Sequence, residues 1–486
     1  MTNLSKKHDE FPVALIQQAT DFLSDKFSLI TIDGQIRVLI NRNIHALLHE
    51  DIDPTTVKVE LVKRADANVI VERALENSDI ALPEKYIQLV IKRWLKSPKT
   101  TMYQGTAFSP IPQNSEALNL WRGPSLRPQE GDWQVIRDFL FEVLSDSDSD
   151  KFDYLVKFLA HAIQRPEEKP EIMPCFIGGQ GTGKGTFLRI LERIWKHTCL
   201  LIQSAEEVVG RFTGAMERTY IVAFDEAWFS GNKATTNALK SKITEPMMRI
   251  EEKNQPSRTI RSFHRFVAVT NESHIAHIDR DDRRFYVCQV SEIYKQDKVY
   301  FSRLHAGIND DSVIKAFIYH LTMVDLTDFN VRNRPLTREL AEQKHDSLDP
   351  LSHFIIEIIE NAQVNEQFRL SETNPTFIPT RVIKDAYLQF NPQAQKYSLI
   401  SDKRLVREFK KVFPKMSDSR PSQTGRARGL WFPALPDLRS QFDIWIGHKN
   451  EWNIDYEFEK QRGESGSSGA FEGGNAYSRA KWGREY

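Results

Sequence analysis

Ile172-Met173-Pro174-Cys175-Phe176-Ile177 followed by Gly178-Gly179-Gln180-Gly181-Thr182-Gly183-Lys184-Gly185-Thr186 is an apolar run that empties into a glycine-rich loop. Such a loop between a strand and a helix is a phosphate cradle: glycines 178, 179, 181 and 183 let backbone N–H groups turn toward an anion, the next helix presents its positive end, and Lys184 reaches the β- and γ-phosphates. The usual pattern puts a hydroxyl directly after the lysine; here Gly185 stands there and Thr186 follows, so the Mg²⁺ ligand is displaced by one residue or replaced by water. The lesser alternative is a tight glycine turn with an exposed lysine. Apolar residues at 187, 188, 190, 191, 194 and 195 give the following segment the period of a helix packed on a sheet.

Working outward, Tyr220-Ile221-Val222-Ala223-Phe224-Asp225-Glu226 is a buried-strand run ending in two carboxylates. It reads as a Walker B strand, with Asp225 holding Mg²⁺ through water and Glu226 orienting and deprotonating the attacking water; standing alone, the two acids would simply cap a helix starting near Ala227. Phe266-Val267-Ala268-Val269-Thr270-Asn271 is a third such run, ending in an amide that can bond both the γ-phosphate and the lytic water, a sensor position. Asp281-Asp282-Arg283-Arg284 opens a fourth run, Phe285 to Val290. These arginines are poorly placed for their own subunit's nucleotide and suit a neighbour's, as a finger supplied in trans; the alternative is surface pairing with Asp281 and Asp282.

The wording GGQGTGKGTF, IVAFDEA, VAVTNE and DRRF, in that order, resembles superfamily 3 helicases, in the branch of phage and plasmid primase-helicases related to the poxvirus primase-helicase. Asn119-Leu120-Trp121-Arg122-Gly123 and the stretch from Phe158 to Pro166 are similar to that branch's lead-in, so the resemblance covers about 110 to 300. It implies ATP and Mg²⁺ as cofactors, Lys184 and Thr186 on the phosphates, Asp225 and Glu226 at metal and water, Asn271 as sensor and Arg283 or Arg284 as finger. The loop residues expected to bind ATP are Gly178, Gly179, Gly181, Thr182, Gly183, Lys184, Gly185 and Thr186, with Asp225 and Thr186 toward the metal. The resemblance further implies a channel hairpin: Met247 to Lys253 and Arg258 to Phe263 flank an Asn/Pro/Ser turn, with Lys253 as the tip contact for DNA and Arg258 and Arg261 behind it. These charges would otherwise pair with Glu251 and Glu252.

Residues 381–430 hold twelve Lys or Arg against four Asp or Glu, in a chain balanced at 66 of each sign. Helical patterns at Pro379 to Phe390 and Asp402 to Phe413, then a strand-like Gly429 to Pro433, resemble a winged helix; Lys403, Arg404 and Arg407 would face duplex DNA, with Arg426 and Arg428 on phosphate. A basic helix is also often just a solvated face.

The expected fold is α/β: a P-loop (AAA+-like) ATPase core at 111–335 with an α+β N-terminal domain at 1–110, a C-terminal winged helix at 345–445 and a disordered Gly/Ser-rich tail at 460–486. The expected activity is that of an ATP-hydrolysing DNA helicase, assembled as a homo-hexameric ring and acting in replication of a phage or mobile element. Its partners would be single-stranded and duplex DNA and a primase or other replication protein. A P-loop switch or defence ATPase is the rival, and a nucleotide kinase, suggested by the GKGT spelling, the weaker one. No membrane-length apolar run or leader pattern is present, so a cytoplasmic protein is expected. Cys175, Cys199 and Cys288 are isolated and read as buried fillers, with no zinc spacing. Asp51 and Asp53 read as turn residues, so no attached primase is expected, and the acidic run Ser145 to Asp150 reads as a solvated loop.

Overall fold

The fold was obtained as a computed structural model, which describes residues 12–32, 34–41, 62–111, 116–211, 213–226, 233–251, 257–272, 275, 277–396, 400–419, 427–450 and 452. The chain forms two compact units, Met1–Ser347 and Leu348–Tyr486. Among the described residues no helix is long and apolar enough to cross a membrane.

The first unit begins with helix α1 (Val13–Lys26), whose apolar face runs into strands β1 (Phe27–Ile32) and β2 (Gln35–Ile40). These two strands form an antiparallel hairpin, because Gly34, at φ +71°, supplies the left-handed turn a continuous strand could not make. β3 (Val62–Lys63) pairs with β2, and helices α2 (Arg64–Glu76) and α3 (Ile87–Trp94) precede β4 (Met102–Tyr103), which pairs in parallel with β1. Ile16, Leu23, Leu29, Val71 and Trp94 form the small core beneath.

Helix α4 (Ser149–Gln164) leads into the main sheet. The acidic run before it is a solvated loop as expected, Asp146 to Asp150 being exposed, but it is shaped at both ends: Ser145 is buried, Asp146 and Ser147 take positive φ, and Asp148 accepts hydrogen bonds from the N–H groups of Asp150 (2.9 Å) and Lys151 (3.1 Å) as a helix cap. In chain order follow β5 (Met173–Ile177), α5 (Lys184–Ile194), β6 (Cys199–Ile202), β7 (Ile221–Asp225), α6 (Lys233–Thr244), the hairpin β8 (Met247–Ile250) and β9 (Arg258–Arg261), β10 (Arg265–Thr270) and β11 (Phe285–Gln289). Helices α7 (Lys298–Asn309), α8 (Asp311–Met323) and α9 (Arg338–Asp346) complete the unit.

Five strands pair in parallel in the order β11-β5-β10-β7-β6. Both faces are covered, which explains the unbroken apolar runs. Met173, Cys175, Val222, Phe224, Phe266, Ala268 and Val287 point to one core, and Phe176, Ala223, Val267, Val269 and Tyr286 to the other. Cys175 and Cys288 are buried within these layers, and burial pushes the thiol of Cys288 up to about 12.

A wholly buried arginine opens β10. Arg265 donates to the carbonyls of Arg165 (2.9 Å) and Glu168 (2.9 Å) beyond the end of α4, to the hydroxyl of Tyr220 (2.5 Å) and, at 3.0 Å, meets Nδ1 of His161. Its charge is thereby spread over oxygen acceptors at a helix C-terminus, where a cation is favoured. Burial, reinforced by Arg265, lowers the imidazole of His161 to about 3; burial also lowers His264, hydrogen-bonded to Ser262 and to the carbonyl of Met216, to about 4.

In the second unit, α10 (Pro350–Glu360) precedes the short pair β12 (Gln363–Asn365) and β13 (Phe368–Arg369), then β14 (Thr376–Pro379), α11 (Thr380–Phe390), α12 (Asp402–Val412), β15 (Ser417–Ser419), β16 (Gly429–Phe432) and α13 (Leu435–Ile446). The three later strands form an antiparallel sheet, β14-β16-β15, and the helices close on it around Ile355, Ile383, Leu405, Phe409, Leu430 and Phe442.

Candidate active site

Three neighbouring strands of the main sheet, β5, β10 and β7, end at the same edge, so their last residues and the loops after them meet there. This is the carboxyl edge, where parallel sheets place ligands. Gly178 N–H donates to the carbonyl of Thr270 (3.1 Å), and Glu226 N–H to that of Val269 (3.1 Å), which seats the glycine loop and the acidic pair on either side of Asn271. Lys184, Asp225, Glu226 and Asn271 line one pocket of about 540 Å³ together with Thr186, Arg189, Glu192, Phe301 and His305.

The loop conformation depends on glycine at two places. Gly181 and Gly183 take φ of +79° and +99°, and a Cβ on Gly183 would lie 2.8 Å from the ring of Phe301. Gly185, by contrast, has nothing within 4 Å of where its Cβ would be. The loop then hands directly into α5, whose first residue is Lys184.

Lys184 is buried, and all three of its ammonium donors are engaged: Nζ lies 2.7 Å from the carbonyls of both Gly178 and Gly179 and 2.8 Å from Oδ1 of Asn271. Burial lowers its pKa, while Glu226 and Asp225 oppose that shift. Asn271 in turn donates through Nδ2 to Oε1 of Glu226. Lysine, amide and glutamate therefore form one hydrogen-bonded chain. Glu226 lies just past β7 at φ +56°, a conformation uncommon for a non-glycine residue. The geometry gives Thr186 a partner invisible in the sequence: its hydroxyl and Nε2 of His305, on α7, are 3.1 Å apart, and burial, then Arg189, lowers the His305 pKa.

Arg283 and Arg284 do not join this edge. They precede β11 and so sit at the opposite end of the sheet, about 16 Å away along five residues at about 3.3 Å each. The two differ. Arg283 is exposed, whereas Arg284 is partly buried, its N–H donating to Asp282 Oδ1 (2.8 Å) and its guanidinium 3.4 Å from Oδ2. Asp282 is itself held by Lys240 (3.1 Å), a buried lysine that also pairs with Asp279 (2.7 Å), and by Arg334, which donates to its carbonyl (3.1 Å).

A family model described as a family of unknown function (DUF5906) matches residues 176–284, the stretch that carries this edge. A DNA primase-polymerase of Nitratiruptor phage NrS-1 is 26% identical over 168 residues, 34% of this chain and 23% of that relative, so the match spans less than a quarter of the relative's length. An apo structure of the NrS-1 C-terminal region superposes with a TM-score of 0.56 at 15% identity, covering 91% of this chain and 92% of that one. An A-form apo structure of the same region gives 0.60 at 16% identity, over 86% and 98%. The chain shares the fold of that region. It is a mixed α/β protein related in sequence to a phage primase-polymerase.

The residues expected to meet DNA divide. Lys253, Arg426 and the tail 460–486 lie outside the described residues, as do Asp51 and Asp53. In the hairpin, Met248, Ile250 and Ile260 turn inward while Arg249 and Arg261 face out, the alternation a strand imposes. Arg258, expected behind the DNA-contacting tip, lies opposite Ile250 on the inner face and is clamped by Glu217 through Nη2 (2.6 Å) and Nε (3.0 Å); Glu251 pairs with Arg211 (2.8 Å), and Glu252 lies outside the described residues. Arg249, overlooked in the sequence, was findable from the period-two pattern of Met248 and Ile250. On α12, Leu405, Phe409 and Val412 face the core, and Lys403, Arg404, Arg407 and Lys411 stand exposed. Arg428 is tied to Asp418 (3.3 Å), which also binds Lys410.

Proposed function

We propose that the chain is an ATP-dependent DNA helicase or translocase that works as a ring of identical subunits in replication of a phage or mobile element, with a P-loop core and a C-terminal winged helix. One observation carries the reading: the glycine loop with Lys184, the Asp225-Glu226 pair and Asn271 converge on the carboxyl edge of three adjacent parallel strands, with Lys184, Asn271 and Glu226 linked in one hydrogen-bonded chain.

The residues present fit a magnesium nucleotide. The loop's two left-handed glycines keep the cradle free of side chains, and Asp225 and the Thr186 hydroxyl would hold Mg²⁺ with water completing its shell, supplying charge neutralisation at the phosphates. Lys184 exchanges its bonds to the Gly178 and Gly179 carbonyls for β- and γ-phosphate oxygens. Asn271, already between Lys184 and Glu226, swings its amide to the γ-phosphate and the lytic water, which frees Glu226 to take the water's proton. Arg283 reaches a neighbouring subunit's nucleotide, since it is exposed and far from its own cradle, while Arg284, held by Asp282, fixes the segment. In the second unit, α12 enters a duplex groove with Arg404 and Arg407 outward, and β15 and β16 form the wing.

DNA-stimulated ATPase measured beside strand displacement on a forked duplex tests the reading. ATPase with displacement is expected; ATP binding and DNA binding without displacement would replace the motor with an ATP-dependent switch.

A further inference from the structure

We propose that the groove between α1 and the end of α3 binds the phosphodiester backbone of single-stranded nucleic acid, at a site separate from the nucleotide cradle. The groove has a volume of about 570 Å³ and is lined by Lys92, Arg93, Lys96 and Lys99, with Gln17 on the α1 side. The local sequence is one-signed: residues 85–99 contain five Lys or Arg and no Asp or Glu, although the chain as a whole is balanced. Lys99 is paired with Asp21 at 2.7 Å. Among the described residues Lys92, Arg93 and Lys96 have no carboxylate partner, and all three are exposed.

These cations stand on a stiff frame. After α3 the backbone folds through hydrogen bonds from Lys96 N–H to Arg93 (3.0 Å), Ser97 N–H to Trp94 (3.1 Å) and Thr100 N–H to Ser97 (3.1 Å), and the Thr100 hydroxyl donates to the Trp94 carbonyl (2.7 Å). Trp94 is buried in the core against Phe27. One or two lysines at a helix end are explained by the helix dipole. Four cations converging on one groove, three of them without acids, exceed that need and match successive phosphates on a strand. Among the described residues no aromatic side chain lines the groove, so bases are not stacked there and the contact is independent of sequence. A groove of this size takes one strand; a duplex would touch only its rim.

The test uses the full chain without nucleotide and a fluorescein-labelled 20-mer oligodeoxynucleotide of mixed sequence, titrated across salt concentration. The Lys92→Gln/Arg93→Gln/Lys96→Gln variant is expected to bind at least about tenfold more weakly at low salt, with its log–log salt slope reduced by about two, at about 0.7 per neutralised phosphate. Lys92→Arg/Lys96→Arg should keep the parental slope. Unchanged affinity and slope in the triple-Gln variant would overturn the site, as would poly-glutamate competing as well as unlabelled oligonucleotide of equal charge, which would make the groove a docking site for acidic protein. The outcome is separable from the helicase reading, because Lys184→Ala should abolish ATPase yet leave this slope intact.

Discussion

The carboxyl edge of the main sheet and the outer face of α12 are both polar, but their polar groups live under opposite conditions. At the edge, Lys184 is buried and each of its donors is engaged, and Asn271 is held between two charged neighbours. On α12, Lys403, Arg404 and Arg407 are exposed, with Arg407 only 3.2 Å from the adjacent Glu408 in a solvent-screened pair. The difference separates positioning from attraction. Hydrolysis needs a few groups held by the fold within reach of the phosphates, so that only short-range bond exchanges follow substrate arrival, whereas holding a long polyanion needs many exposed charges with weak, solvent-screened partners.

The largest effects should therefore come from the edge. Lys184→Ala should abolish measurable nucleotide binding, and Glu226→Gln should retain binding while losing about 10²- to 10³-fold in turnover, measured by equilibrium binding beside phosphate release. Parental turnover in Glu226→Gln would remove the edge from its side of the comparison. Next, Arg283→Ala subunits mixed with Lys184→Ala subunits should recover part of the ATPase that each lacks alone, whereas Arg284→Ala should chiefly lower stability. No recovery in mixtures shown to co-assemble would place Arg283 in a structural role.

Acid should weaken the edge's foundation. The unfolded chain protonates its histidines near 6.5, but folded His161 and His264 stay neutral down to about 3 and about 4. Their contribution is complete above about pH 6.5 and is lost as pH falls from there toward 4, by up to about tenfold in the unfolding constant per pH unit for each histidine. Urea unfolding of the parent and of His161→Gln across pH 4 to 7 checks this: the variant should show a shallower dependence. On the other side of the comparison, Arg404→Ala/Arg407→Ala should reduce the salt slope of duplex binding by about one unit for each phosphate that is no longer neutralised, without altering DNA-free ATPase. The smallest effect belongs to Gly185→Ser, which has open space at its Cβ and should change thermal stability by less than about 1 kcal/mol.

Much of this edge was legible because its determinants are local. Glycines in a loop, an apolar run and a terminal acid or amide each reveal themselves within ten residues, and α12 betrays its two faces through Leu405, Phe409 and Val412. What the sequence hid is set by packing between distant segments. His305 reaches Thr186 only because α7 lies beside α5, and Lys240 finds Asp279 and Asp282 across some forty residues. Arg258 carried the same charge signal as Arg261, yet its strand position turns it toward Glu217. In the N-terminal region the basic run at 85–99 is visible in the sequence, but the groove it lines emerges only once α1 is folded beside the turn after α3.

Arg265 opens β10 and Asn271, six positions on, directly follows its last residue. The first is locked by its guanidinium to the chain beyond α4, and the second completes the candidate site, so the segment between them works as a measuring rod of fixed length. Sliding it by one residue would swap Phe266 and Ala268 with Val267 and Val269 between the two cores and leave a buried charge without acceptors. Insertion or deletion of a single residue within 266–270 should thus be far more damaging than any conservative substitution there, since the amide's reach toward Lys184 and Glu226 is calibrated from the far side of the sheet.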